Sequence, residues 1–479
     1  MKKTTLLCLT AIISTLAHTQ LQADIPTWRD NNNGTFAVKA APTDWEEGIL
    51  FETPLPSKSN GTPILVDDKL YFTAEPDQLI CADSKTGEIL WKRDNSLFAL
   101  RNVSASKRAE LEAYQTEIEK IRKESGRLRN DIRRLDSAIK KNPDNQEARG
   151  SKAAKEEERS ALENNIKDMA DADFFKDYAM PPAHSTNGYT SYSPHYDGKR
   201  IYTQFGYGVV VAYDLDGNRE WVSFLEKPDH HWGGATMPQI VDGKLLIRFS
   251  DYSALDPKTG KKLWSTPSEV VFGTPVPFEV QGQHFVFTPR GEILRMTDGK
   301  VIKDGLVYTH PTRGWSIFNT PALVDGVIYA ASGVERENGD AYAYRLPQSL
   351  KELNKTGLEL VWHTEIEQDR YYGSPLIDDG LVYLVSRENV IIVLDAVTGE
   401  EVYTEHVKKV TGTAYPSLVL ADDKVYLGAE DGFMVIFKTG RNYHEVARNR
   451  LGAYRATPIF IDEVAYLRTY DSLIAAGKL

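Results

Sequence analysis

The chain has only two cysteines in 479 residues, and one of them, Cys8, falls inside an N-terminal stretch built like a leader. Cys81 is then left alone, so no internal disulfide is available and the fold has to rest on its own core. Cys81 sits in a run of β-formers and reads as a small buried hydrophobe. Long apolar runs are missing as well. Past the leader, no segment is long and apolar enough to span a bilayer. The usual catalytic signatures are absent: there is no G-x-S-x-G elbow, H-E-x-x-H, Walker loop or C-x-x-C. His230-His231 is the only adjacent histidine pair, and no further ligands flank it to make the three or four a metal site needs. No catalytic, cofactor-binding or metal residue is therefore assigned. Excess positive charge is lacking too. A formal net charge of −11 argues against nucleic acid or anionic lipid as the partner.

The start of the chain has Lys2-Lys3, an apolar run from Leu6 to Ala17 and a small-residue cleavage position after Ala23. This predicts a secretory signal peptide over 1–23, with Ala17 as a second cleavage candidate. Cys8 lies too close to the start to serve as a lipid acceptor, so no lipobox is read. The expected location is periplasmic or secreted.

What the chain does have is repetition. A Thr-Pro or similar opening, a hydrophobic run, an Asp-Gly-Lys type turn and a second hydrophobic run return eight times. The opening prolines are Pro63, Pro194, Pro238, Pro275, Pro321, Pro375, Pro416 and Pro458. The fullest copy runs from Thr62 to Trp91 and contains four short β-rich segments joined by tight turns. Repeats of about forty residues with four strands each predict the blades of a β-propeller. A proline at the first residue of a strand sacrifices no ladder bond that matters. The eighth repeat supplies three strands, and Gly48–Phe51 resembles the fourth. Residues 48–55 are thus expected to complete blade eight, closing the ring by pairing N- and C-terminal strands. The fold class expected is all-β: an eight-bladed propeller of four-stranded antiparallel blades. Trp91, Trp221 and Trp264, at the blade ends, are expected to pack between blades.

One segment breaks the pattern. Residues 104–172 are rich in Glu, Lys, Arg and Ala and poor in Gly and Pro. Leu111, Tyr114, Ile118, Ile121, Leu128, Ile132, Leu135 and Ile139 follow alternating spacings of three and four, the pattern of a coiled-coil seam. Asn142-Pro143 breaks the helix. A second helix with a thinner apolar set (Ala154, Leu162, Ile166, Met169) follows, which predicts an α-helical coiled-coil hairpin inserted in the propeller. Two roles are open for it: padding against the propeller, or an arm that pairs with a partner or with a second copy. The expected organisation is a signal over 1–23, the closing strand and blade one over 24–103, the helical insert over 104–172 and blades two to eight over 173–479.

The loops just before each strand-opening proline are rich in aromatics. Tyr189, Tyr192, Trp232, Phe272, Trp315, Phe318, Tyr371, Tyr372, Tyr415 and Tyr454 gather around one face of the ring, with Arg370 and Arg455 among them. Tyr, Trp and Arg carry much of the binding energy at interfaces, so this face is the candidate interaction surface. At least half of these rings are expected to tuck between blades as packing instead.

The segments Ile80–Trp91 and Ala254–Trp264 resemble the PQQ-like repeat, A-x-D-x-x-T-G-x-x-x-W. The resemblance covers nearly all the chain outside the leader and the insert, and it implies an eight-bladed propeller. Two families share it. Quinoprotein alcohol dehydrogenases hold pyrroloquinoline quinone (PQQ) and Ca²⁺ on the axis under a vicinal cysteine pair, which this chain lacks. The BamB-type scaffolds of outer-membrane barrel assembly are similar in size and blade count and carry no catalytic apparatus. The resemblance to these scaffolds implies a non-enzymatic exported protein that binds an envelope protein, with no PQQ or Ca²⁺. The alternative is a small-ligand binder or quinoprotein-type oxidoreductase working from the funnel.

Overall fold

Eight four-stranded antiparallel units follow one another along the chain, each opened by one of the repeats. The structure, a computed structural model, describes residues 24–228, 232–308 and 318–478. The leader, His230-His231 and Trp315 lie outside the described residues. Blade one comprises Ile64–Val66, Lys69–Ala74, Gln78–Asp83 and Ile89–Asp94. The fourth repeat, whose closing segment has no tryptophan, also makes four strands, from Val276–Val280 to Val301–Lys303. The first turn of each blade owes its shape to its sequence. In Asp242-Gly243, Asp325-Gly326 and Asp379-Gly380 both residues have positive φ, as a two-residue hairpin turn of the primed type requires.

The A-x-D-x-x-T-G-x-x-x-W pattern is explained by contacts between neighbouring blades. In blade three, Asp256 Oδ1 accepts the amides of Lys258 and Thr259 at 2.7 and 3.1 Å, which folds the turn. Gly260 then takes φ +70°, and a Cβ there would sit 2.4 Å from the Trp221 ring of blade two. Trp221 Nε1 donates to Pro257 O at 3.0 Å, and Ser223 Oγ donates to Gly260 O at 2.6 Å. The same docking recurs where Trp264 meets Met296 and Gly299, and where Trp362 meets Ala396 and Gly399. The motif thus encodes a lock from one blade to the next, and the blade-end tryptophans pack as expected.

The ring closes as its repeats imply. Ile49–Pro54 pairs antiparallel with Ser472–Gly477, Phe51 opposite Ala475 and Thr53 opposite Leu473. The segment before it also joins the ring. Ile25 exchanges two backbone bonds with Leu65 of blade one, at 2.8 and 3.1 Å. Pro26 O accepts from Tyr196 N of blade two. After a short helical turn, Arg29–Asn32, the pair Thr35–Phe36 adds a parallel fifth strand to the inner edge of blade seven. Residues 25–36 therefore run from the inner strands of blades one and two across the channel to blades six and seven, as a plug. Arg29 is fully buried in this plug and donates to Pro375 O and Leu418 O at 3.1 and 2.9 Å. Inner strands have one unpaired edge, and the plug satisfies part of it.

The insert is a helical hairpin of Ala105–Lys141 and Gln146–Asp171, capped by Ser104 and Asn145. Leu111, Ile118, Leu128 and Ile132 are buried, while Tyr114, Ile121, Leu135 and Ile139 are half-buried. Ala154 is exposed and lies off the contact line. The least exposed positions of the second helix are Ala148, Lys152, Lys155, Arg159, Leu162, Ile166 and Met169. Three of those seven are long basic side chains, whose stems cover the first helix while Lys152 and Lys155 pair with Asp136 and Asp131 at 2.7 and 3.1 Å. At its root Leu111 and Ile118 cluster with Phe175 and Ala179, and Phe98 stacks on Tyr178 at 5.7 Å. No described helix is long and apolar enough to cross a membrane.

Candidate functional site: the axial funnel

In each blade the chain enters from the inter-blade loop, so strand one begins on one face and the first and third turns lie on the other. The inter-blade loops, including the hairpin's attachment, therefore share a face. There the residue two before each inner strand makes a closed belt. Thr62 N donates to Ser193 Oγ, Ser193 N to Met237 Sδ, Met237 N to Thr274 Oγ1 and Thr274 N to Thr320 Oγ1. The belt continues from Thr320 N to Ser374 Oγ, Ser374 N to Ser417 Oγ, Ser417 N to Thr457 Oγ1 and Thr457 N back to Thr62 Oγ1. The donor–acceptor distances span 2.8–3.3 Å. In six of the eight blades the acceptor is the hydroxyl just before the opening proline, and at blade three it is the Met237 thioether. Pro416 stands two positions early, and Ser417, not Tyr415, takes the place in the belt.

Above this belt lies a cavity of about 390 Å³, with Trp28 of the plug among its lining residues. An arc of aromatic rings lines one side. Phe272 stacks on Phe318 at 5.6 Å, Phe318 meets Tyr372 edge-on at 4.8 Å, and Tyr372 stacks on Tyr415 at 4.8 Å. Arg455 ends the arc, 4.2 Å above the Tyr415 ring. Offset and edge-on contacts of this kind hold aromatic groups in fixed orientation. Across the cavity Trp232, 40 % exposed, packs against His184 with centroids 4.4 Å apart.

The two arginines are held by acids. Arg455 pairs with Glu430 and donates to Thr186 O. Arg370 pairs with Glu335 at 3.3 Å and reaches Tyr372 Oη at 3.5 Å. The loop that follows the hairpin forms the remaining wall. Asn60 Nδ2 donates to Thr186 O and Ser191 Oγ at 2.7 and 2.8 Å, and Asn187 Nδ2 donates to Trp232 O at 2.9 Å. Beneath that wall Glu75 accepts from Tyr189 N, Thr190 N and Thr190 Oγ1. Burial raises its carboxyl above the usual range, opposed by those bonds. Burial likewise pushes up the Tyr415 hydroxyl.

Of the residues proposed from sequence, Trp232, Phe272, Phe318, Arg370, Tyr372, Tyr415 and Arg455 line the funnel. Tyr192, Tyr371 and Tyr454 do not; each is fully buried between blades. Tyr189 sits beneath the loop, its Oη donating to Pro181 O at 2.6 Å. Trp28, Asn60, His184 and Asn187 were missed. Asn60 could have been found, because it stands in the loop before Pro63 as the aromatics stand before theirs. Nothing local marks Trp28. Among the described residues no three His, Cys, Asp or Glu side chains converge to hold a metal ion.

The family model described as outer membrane protein assembly factor BamB matches residues 29–112, 182–270 and 331–476. Among curated proteins none matches. BamB from Moraxella catarrhalis superposes with TM-score 0.55 at 12% identity, over 89% of this chain and 99% of its own. Quinohemoprotein alcohol dehydrogenase from Comamonas testosteroni gives 0.54 at 12%, over 95% and 81%. The computationally designed Ika8 protein gives 0.52 at 11%, over 90% and 100%. At such identities the superpositions show the propeller fold alone. The family model covers more than half the chain and leaves out most of the hairpin, so this protein belongs to the BamB family of PQQ-like repeat propellers.

Proposed function

We propose that this protein is a non-enzymatic scaffold of the cell envelope that grips a protein partner in its axial funnel. The observation that supports this most is the aromatic arc from Phe272 to Tyr415, ended by Arg455 on a built wall of paired charges. Rigid aromatic rings with arginine suit an apolar side chain or a short extended segment of a partner. The plug crosses the channel and puts Trp28 on the cavity wall, which adds another ring to the socket.

The residues present do not fit PQQ held on Ca²⁺. No carboxylate is among the described residues lining the cavity, and the lone described cysteine, Cys81, is buried in blade one. A calcium-held quinone needs hard oxygen ligands at the funnel wall. Here Glu430 and Glu335 are turned to arginines.

The test is partner capture by a Trp232→Ala/Tyr372→Ala double variant. Both side chains border the cavity, and neither belongs to the belt. Loss of capture with unchanged melting supports the reading. Undiminished capture overturns it, and a small ligand bound in the funnel would put the alternative in its place.

A further inference from the structure

The net charge of −11 averages over two unlike parts. From Arg122 to Lys155 the sequence has eleven basic and five acidic residues. On the first hairpin helix Lys123, Arg127, Arg134 and Lys141 recur on one stripe, at spacings of four and seven. Arg129, Arg133 and Lys140 make a second stripe. At 100° per residue both lie away from the seam, with only Gly126, Asn130 and Ser137 between them. All seven cations are exposed. Of the five acids, Asp131 and Asp136 edge the seam and are taken by Lys155 and Lys152, Asp144 and Glu147 lie past the first helix, and Glu124 is exposed on that helix to the side of the Lys123–Lys141 stripe. Only Arg134 shares one of them, at 3.6 Å from Asp131.

From this we infer that the back of the distal hairpin is a cationic ridge that docks on a membrane surface rich in anionic phospholipid headgroups. Three observations favour this occupant. The ridge runs about 28 Å along one unbroken helix, so its cations share one outward side. Arg122 of the same helix still donates to Met180 O beside blade one at 2.9 Å, and the far cations Lys140 and Lys141 lie about 27 Å beyond it along the helix, several Debye lengths at physiological salt. The acidic propeller is thereby kept from opposing the contact at that end. Third, residues 115–173 hold no aromatic, so no platform for stacking unpaired bases exists. A second hairpin is a poor match, because the outward face of Gln146–Asp171 offers chiefly Gly150, Ala153 and Ala161 with Glu157 and Asp168. This inference stands apart from the funnel and runs against the expectation drawn from net charge.

The experiment is vesicle flotation of the full chain. One vesicle set is phosphatidylcholine alone; the other mixes it in equal parts with phosphatidylglycerol. The expected result is flotation with the mixed vesicles only, lost at about 0.5 M salt. Replacing five cations (R127Q, R129Q, R133Q, K140Q, K141Q) is expected to lower affinity on the order of a thousandfold. Glutamine keeps helix propensity close to that of Arg and Lys, so helix content and melting should hold. Trp232→Ala/Tyr372→Ala should float as the parent does. No flotation with mixed vesicles, equal flotation with phosphatidylcholine, or an unaffected five-fold variant overturns the inference. So does binding of duplex DNA without vesicle binding.

Discussion

Replacing Thr320 by valine cuts one link of the hydroxyl belt at little change in size. Thr320 Oγ1 is the acceptor for Thr274 N at 2.8 Å, and both residues are nearly inaccessible, at 2 % and 1 % exposure. The amide of Thr274 is left buried without its acceptor, at a cost of about 1–3 kcal/mol. Thr320 N still donates to Ser374 Oγ, so the rest of the belt is unaltered. Equilibrium urea unfolding should show a lower midpoint with an unchanged slope. Thr116→Val serves as control, since Thr116 is exposed on the hairpin and only bonds back to Glu112 O. That change should stay within about 0.5 kcal/mol. A second cut across the ring, Thr62→Val, should add its own cost, because distant sites are independent. If Thr320→Val unfolds with the parent, the belt is geometry without energetic weight and the reasoning fails.

Other expectations follow from the same structure. His195 is buried and accepts from Ile240 N, and burial holds its pKa down at about 4 against 6.5 when free. Between those values the unfolded chain binds the extra proton, so this residue's contribution is whole above pH 6.5 and declines as pH falls to 4, by about 3 kcal/mol. The difference in stability between the parent and His195→Gln should shrink across that window, and a pH-independent difference would refute it. Removing residues 472–477 deletes the partner of Ile49–Pro54 and should abolish cooperative unfolding of the ring, and an unchanged melting curve contradicts closure. Trp362→Ala removes a buried ring and its bond to Ala396 O, and should cost about 3–5 kcal/mol by urea unfolding.

The repeat made the propeller legible because each element of it has a local cause. The turn needs Asp and Gly, the docking tryptophan needs a glycine beneath it, and the belt takes an acceptor side chain, a hydroxyl or the Met237 sulfur, two residues before each inner strand. Closure was also legible, since Gly48–Phe51 copies a blade's last strand. The plug was not. Residues 25–36 carry no strand periodicity, and their order comes from inner-strand edges hundreds of residues away, such as Leu418 O and Pro375 O for Arg29. At the funnel the sequence named the right loops but could not separate Tyr371 from Tyr372. They are adjacent, and chain direction at one loop sends the first between blades and the second to the cavity. The hairpin's heptad spacing was plain on the first helix. The second was misread at Ala154, because lysine stems and not small apolar residues cover much of the seam.

On the proposed function, the funnel face grips an envelope protein. Site-specific photocrosslinking in cells tests it most directly, with a benzophenone side chain at Tyr372 on the funnel and at Val397 on the opposite face, where the side chain is 75 % exposed. One crosslinked envelope protein is expected from position 372 and none from 397. Equal crosslinking from both, or none from 372, would contradict it.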